Sequence, residues 1–318
     1  TGLRGVQGKQ LLFLVLLWLF GRFVVFMPNL LGNTLSSVID LVFLPCVAFM
    51  LARPIIAIKQ YRNLFFIPLL TLFTLANLEM HLSISYPTSF NGQLSGYASV
   101  ILITFLMSVM GGRVVPMFTA NGTKTQKATP IIALEYLANG SLALIMVYLL
   151  LHPLFEFNQT FFGLLLVVAG ISQTIRCLRW RPWVTLSVPL VWSLHLALKF
   201  IWFGLIMLGI SYLLPQVPSN HLWHLLTIGG IGGLILAMIS RVSLGHTGRP
   251  LTPEKIMSVA FMLMAIATLV RSFGPWLAPE KTLMFYDISG LFWLISLAIF
   301  IVIYGPMLLT PRQDGRPG

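Results

Sequence analysis

Ten apolar runs of about 20 residues divide the chain, each long enough to cross a hydrocarbon core of about 30 Å. They fall at roughly 10–27, 34–57, 63–83, 93–112, 130–151, 159–176, 187–213, 220–240, 256–274 and 287–309. In lipid every backbone N–H and C=O must be satisfied within the protein, so runs of this length fold as helices. The alternating ten-residue pattern of barrel strands is not seen. The expected fold class is therefore all-α, a polytopic transmembrane helical bundle of about ten spans. Residues 1–318 are expected to form a single integral membrane domain.

Composition agrees with this. The 318 residues are 57% hydrophobic and 9% charged, against roughly 25% charged in soluble domains. The net charge of +12 raises nucleic acid as a partner. The distribution of the charge excludes that reading, because the basic residues lie in the short gaps between apolar runs. With the first residue placed on side one, that side collects Arg4, Lys9, Arg53, Lys59, Arg62, Arg113, Lys124, Lys127, Arg176, Arg179, Arg181, Arg241, Arg249, Lys255, Arg312 and Arg316. Arg22, Lys199, Arg271 and Lys281 remain for the other side. A bias of 16 to 4 predicts that both ends face the cytoplasm. The longest gaps, about 113–129 and 275–286, are too short to fold alone, and the first reads as a solvated loop.

Chemistry-bearing residues are sparse. Cys46 and Cys177 lie far apart and give no disulfide framework, and no CxxCH or CxxC occurs. GxSxG, HExxH and the GKS/T phosphate loop are missing, so nothing points to a metabolic enzyme. Asp40 is placed to pair with Arg22 across neighbouring helices. The GGIGG run, Gly229 to Gly233, reads first as small-residue helix packing, with room for a flat cofactor as the alternative. Six histidines remain. His81, His152, His221 and His224 fall at the outer ends of their spans, His195 lies about two turns into the seventh, and His246 sits in the RVSLGHTGRPL stretch, Arg241 to Leu251. Neutral imidazole suits haem iron and copper. Headgroup or carbonyl hydrogen bonding is the plainer use of a histidine at a span end.

Several stretches resemble the NnrS family: GGRVVPMFTAN (Gly111 to Asn121), RCLRWRPW, PLVWSLHLALKFIWFG (Pro189 to Gly204), HLLTIGGIGGLILAMISRVSLGHTGRPL (His224 to Leu251) and PRQDGRPG (Pro311 to Gly318). The resemblance implies a twelve-helix bacterial inner-membrane protein associated with haem and copper, with the response to nitric oxide and with denitrification. It implies that two further, histidine-bearing helices precede Thr1 and carry part of any haem or copper site. His81, His195, His224, His246, Arg113, Arg241 and Arg249 fall on family-motif positions and are the expected cofactor-binding set. His195, His224 and His246 are its candidate metal ligands. His152 and His221 match less clearly and are set aside. Lys199 stands where the resemblance implies an aromatic residue. The expected partners are the lipid bilayer and nitric oxide or a related small molecule, with protection against nitrosative stress as the expected role. A transporter of a small anion and a cofactor-free assembly protein remain the alternatives, and whether any reaction is catalysed stays open.

Overall fold

The computed structural model describes residues 6–27 and 31–315. Arg4, Arg316 and the last residues of the PRQDGRPG stretch lie outside the described residues. Among those described, ten helices are long and apolar enough to cross a membrane, and no strand occurs. The protein is thus an all-α, multi-pass membrane protein. The helices are α1 (Lys9–Phe26), α2 (Asn33–Ala57), α3 (Phe66–Ser85), α4 (Gly92–Thr123), α5 (Ile132–Leu150), α6 (Gln159–Leu178), α7 (Pro189–Leu213), α8 (Gly233–His246), α9 (Lys255–Leu277) and α10 (Thr282–Leu308). A π-helix, Leu225–Gly232, runs directly into α8, so the eighth span is wide-coiled in its first half and α-helical in its second.

By packing, the chain falls into two compact units. Unit 1 holds Thr1–Leu102 and Met146–Phe157, and unit 2 holds Ile103–Ile145 and Asn158–Gly318. Unit 1 contains α1 to α3 and exposes many large apolar side chains, among them Leu12, Phe13, Leu16, Phe20 and Phe23 of α1. Such a surface suits lipid, where apolar exposure is not penalised. One polar cluster of its interior centres on Asp40. Asp40 pairs with Arg22, accepts a hydrogen bond from Asn77 Nδ2 at 2.7 Å and lies 3.1 Å from His81 Nε2. The Arg22–Asp40 pair expected from sequence is present.

Unit 2 is built on small-residue seams. Where α6 crosses α7, a Cβ on Gly170 would meet Ile206 and the Trp202 carbonyl, and one on Gly209 would meet the Gly163 carbonyl. Gly229, Gly230 and Gly233 of the GGIGG run likewise lie against Phe200, Ile201 and Ala197 of α7. This is the close backbone approach expected of helices that associate in lipid by packing. Helix α10 returns antiparallel along α9, tied by Ser289 Oγ to the Ala267 carbonyl and Ser296 Oγ to the Ala260 carbonyl, each at 2.8 Å.

Two expectations change. Of the stretch 113–129 only 124–129 is loop, because α4 continues to Thr123 and buries Val115 and Thr119. Thr119 in particular is buried and faces His195. Likewise 275–286 is largely helical, since α9 runs to Leu277 and α10 starts at Thr282.

Candidate functional site

Unit 2 gathers its chemistry at the two ends of the bundle and at one buried point between. At the end where α4 and α8 finish, the family-motif residues of three helices meet. His195 of α7 is buried, and its Nε2 lies 2.8 Å from Thr119 Oγ1 of α4. At the residue before Thr119, the Arg241 guanidinium of α8 sits over the Phe118 ring, 4.0 Å from its centroid. Beside it opens a cleft of about 480 Å³, lined by Asn121 of α4, Ser187 and Pro189 at the start of α7, Arg241, and Thr252 after the turn. A second cleft of about 300 Å³ is lined by His195, Lys199, Trp192, Thr185 and Met262. Lys199 there places a cation where the resemblance implies an aromatic ring.

The second half of the RVSLGHTGRPL stretch packs against residues 310–314. It ends α8, and Gly248 takes a positive φ of 70°, a backbone conformation that glycine adopts without steric cost. Residues 310–314 lie on it. Gln313 N–H donates to the Thr247 carbonyl at 3.1 Å, Arg249 donates to Thr310 Oγ1 at 3.3 Å, and a Cβ on Gly248 would run into Asp314. Two of the motifs read from sequence are therefore one packed feature. Arg241 and Arg249 do not converge, since Arg241 lines the cleft and Arg249 holds the tail. His246 is exposed.

At the opposite end, a group forms around the entry to the π-helix. His224 is the residue just before it. Its Nδ1 lies 3.4 Å from Thr227 Oγ1, and among the described residues no group meets its Nε2. His221 Nδ1 lies 3.2 Å from Tyr286 Oη, and the Arg271 guanidinium stacks over the Tyr286 ring at 3.4 Å. Burial, followed by Arg271 and His221, pushes the His224 pKa down to about 4. Burial and then Arg271 lower that of His221 too. Both imidazoles are therefore held toward the neutral form, the form that binds metals. His221 had been set aside, and Arg271 and Tyr286 had no signal in the sequence. They lie 47 and 62 residues beyond His224, and only the pairing of α9 with α10 brings them together.

The buried point is Arg176 of α6. Counted from sequence among the loop charges of side one, it is instead only 2% exposed. Its Nε and one terminal nitrogen donate to the two carboxylate oxygens of Glu135 at 2.8 and 2.6 Å. The other terminal nitrogen donates to the Ser108 carbonyl at 3.0 Å, Ser108 Oγ at 2.9 Å and Gln173 Oε1 at 3.3 Å. Gly112 leaves the space the guanidinium occupies, which a Cβ would fill. Arg113 follows it on α4. Removing Arg176 from side one leaves 15 of 20 basic residues there, and the charge bias survives.

The three candidate metal ligands do not share a site. His224 and His246 bracket a span of 22 residues, which puts them on the order of 30 Å apart. His195 lies between these levels, since Leu194 and Leu234 line one apolar groove. Among the described residues no three His, Cys, Asp or Glu side chains are grouped so as to hold a metal ion. In unit 1, His81 has both ring nitrogens engaged, Nε2 with Asp40 and Nδ1 with Ser37 Oγ at 3.0 Å. His152 is likewise closed, between the Leu149 carbonyl and the Asn91 N–H, each at 2.9 Å.

A model of the family described as NnrS protein matches residues 1–312. The chain belongs to the NnrS family. No curated protein and no solved structure gives a significant match. Family membership makes this NnrS chain a membrane protein of the nitric-oxide response.

Proposed function

We propose that this NnrS protein is a haem-associated protein of a bacterial inner membrane, both described ends cytoplasmic, that protects against nitric oxide and nitrosative stress in connection with denitrification. The observation that carries the reading is the family match over residues 1–312. The positive bias of one side supports the orientation.

The end of the bundle at His224 fits haem better than the other candidate positions. A haem here would call for a ligating side chain such as imidazole and for partners to its carboxylates. His224 offers Nε2, with Nδ1 turned toward Thr227, and hydrogen bonding of the second ring nitrogen fixes the orientation of a ligating histidine. Arg271 stands nearby as a cation for a carboxylate, held by its stack on Tyr286. When bound, haem supplies an iron centre with affinity for nitric oxide. The protein's own contribution is a neutral imidazole and a fixed cation. Copper finds no three-ligand group among the described residues, so no copper site is assigned to them. The small-anion path is the weaker reading, because buried Arg176 is closed by Glu135.

The test is the visible absorption spectrum of the full-length protein purified from a host supplied with haem. A Soret band that shifts on addition of nitric oxide is expected. His224→Ala should abolish it, and Arg271→Gln should weaken haem retention by about tenfold, the worth of one charge-assisted bond. A full-length protein without haem would remove the reading. An unchanged band in His224→Ala would remove the ligand assignment.

A further inference from the structure

The helices that line the Arg241 cleft also line a separate apolar groove of about 240 Å³. It is bounded by Met107, Met110 and Val114 of α4, Leu234, Ile235 and Met238 of α8, and Leu194 of α7, and it shares no lining residue with the cleft. Along α4, residues 107, 110, 114, 118 and 121 recur at helical spacing, and along α8 so do 234, 238 and 241. These form one stripe per helix. The two helices run in the same direction here, so the stripes place the apolar groove and the Arg241 cleft in line along one seam, about one to two helical turns apart. Phe118, with the Arg241 guanidinium over its ring, lies between the two. Ile235, in the wall of the groove, is 48% exposed, so the seam opens sideways rather than into a sealed core.

Arg241 has no carboxylate partner among the described residues. Its one described contact is the face of Phe118, which positions the cation without neutralising it. A cation left unneutralised at the end of a membrane span is costly unless an anion or water meets it. Asn121, Ser187 and Thr252 surround the same cleft with hydrogen-bonding groups. The start of α7 at Pro189 adds the positive end of a helix dipole.

We infer that this seam is a binding site for one anionic phospholipid, its headgroup phosphate on Arg241 and one acyl chain along the α4–α8 groove. The match is between shape and charge. A free anion uses the cleft and leaves the groove bare, and a neutral lipid uses the groove and leaves Arg241 unanswered. The side is also suitable, because this end carries most of the basic residues, and basic pockets between helices on such a face bind anionic headgroups.

The test uses the full-length protein in nanodiscs of phosphatidylcholine with a minor fraction of phosphatidylglycerol. It is extracted into mild detergent, and the lipid that stays bound is measured by mass spectrometry. The wild type should retain phosphatidylglycerol over phosphatidylcholine by about tenfold relative to the disc, the effect of one charge-assisted contact. Arg241→Gln should lose that preference and Arg241→Lys should keep most of it. Met238→Trp, which fills the groove and leaves the cation, should lower retention of both lipids. Millimolar inorganic phosphate should not displace the lipid. If Arg241→Gln does not fold, Arg241→Lys and Met238→Trp still decide. Equal retention of the two lipids by the wild type overturns the proposal, as does unchanged retention in Met238→Trp. Displacement by inorganic phosphate, or haem found in place of lipid and lost with Arg241→Gln, reassigns the seam and overturns it equally.

Discussion

Replacing Glu135 with alanine isolates one charge inside the bundle. Arg176 is 2% exposed, and two of its three guanidinium nitrogens end on the Glu135 carboxylate. The third is held by Ser108 and Gln173, so the guanidinium cannot swing to water without breaking those bonds. Removing one partner of a buried pair costs about 3–5 kcal/mol, because the other charge stays buried and uncompensated. The Glu135 side chain is 29% exposed, which places this pair at the lower end of that range. Removing both is different. The pair Glu135→Leu with Arg176→Met leaves no orphan charge, and replacing a buried ion pair by packed apolar residues is often neutral or stabilising. A thiol-reactive fluorophore supplies the assay, since Cys177 is buried next to Arg176. In a Cys46→Ser background, Cys177 becomes reactive only as the helix packing opens. At about 2–4 °C per kcal/mol for a large domain, Glu135→Ala should lower the midpoint of labelling by on the order of 10 °C. The double variant should recover most of it. A midpoint within about 1 °C of wild type for Glu135→Ala refutes the reasoning, because several kcal/mol would then be missing. A double variant as damaged as the single one refutes it too.

Two further outcomes follow from the geometry. Gly248→Ala forces an L side chain to φ 70° and into Asp314, which costs on the order of 1–2 kcal/mol. Tryptic cleavage after Arg312 should then speed up roughly 5- to 30-fold as the tail detaches, and an unchanged cleavage rate would show that the tail is not held there. The lowered pKa of His224 also gives a signed pH dependence. An unfolded His224 takes up its proton below about 6.5, and the folded one only below about 4. Stability from this group is therefore complete above about pH 6.5 and is lost as pH falls toward 4. His224→Gln should flatten the thermal midpoint against pH over that window, and an unaltered slope would assign it elsewhere.

The membrane class was readable from run length and charge alone, and so was the Arg22–Asp40 pair, since opposite charges inside neighbouring apolar runs have few other partners. What sequence hid was depth. Arg176 reads as a loop charge because it ends an apolar run, and nothing local shows that Glu135, 41 residues earlier, reaches the same point. Residues 113–123 read as solvated because threonine and asparagine are common in loops. In the fold, Thr119 meets His195 and Asn121 lines the Arg241 cleft. Polarity at Thr119 reflects a buried partner, not water. The partners of His221 and His224 were out of reach for the same reason, because Arg271 and Tyr286 belong to helices that only tertiary packing places beside them.

The wide-coiled stretch Leu225–Gly232 is what a helix becomes when it accommodates a surplus residue without disturbing what flanks it. Its glycines are already committed to α7, so the surplus cannot be passed on toward α8. It is taken up instead at the end that begins with His224. Deleting a single residue from the stretch would let it tighten to ordinary α-helix, and each residue of such a helix turns about 100° around the axis. The glycine seam would stay in place while the imidazole swung away from Arg271 and Tyr286. The aim of His224 is thus set by how many residues precede the seam, and a change of length there would redirect it without altering any side chain that touches it.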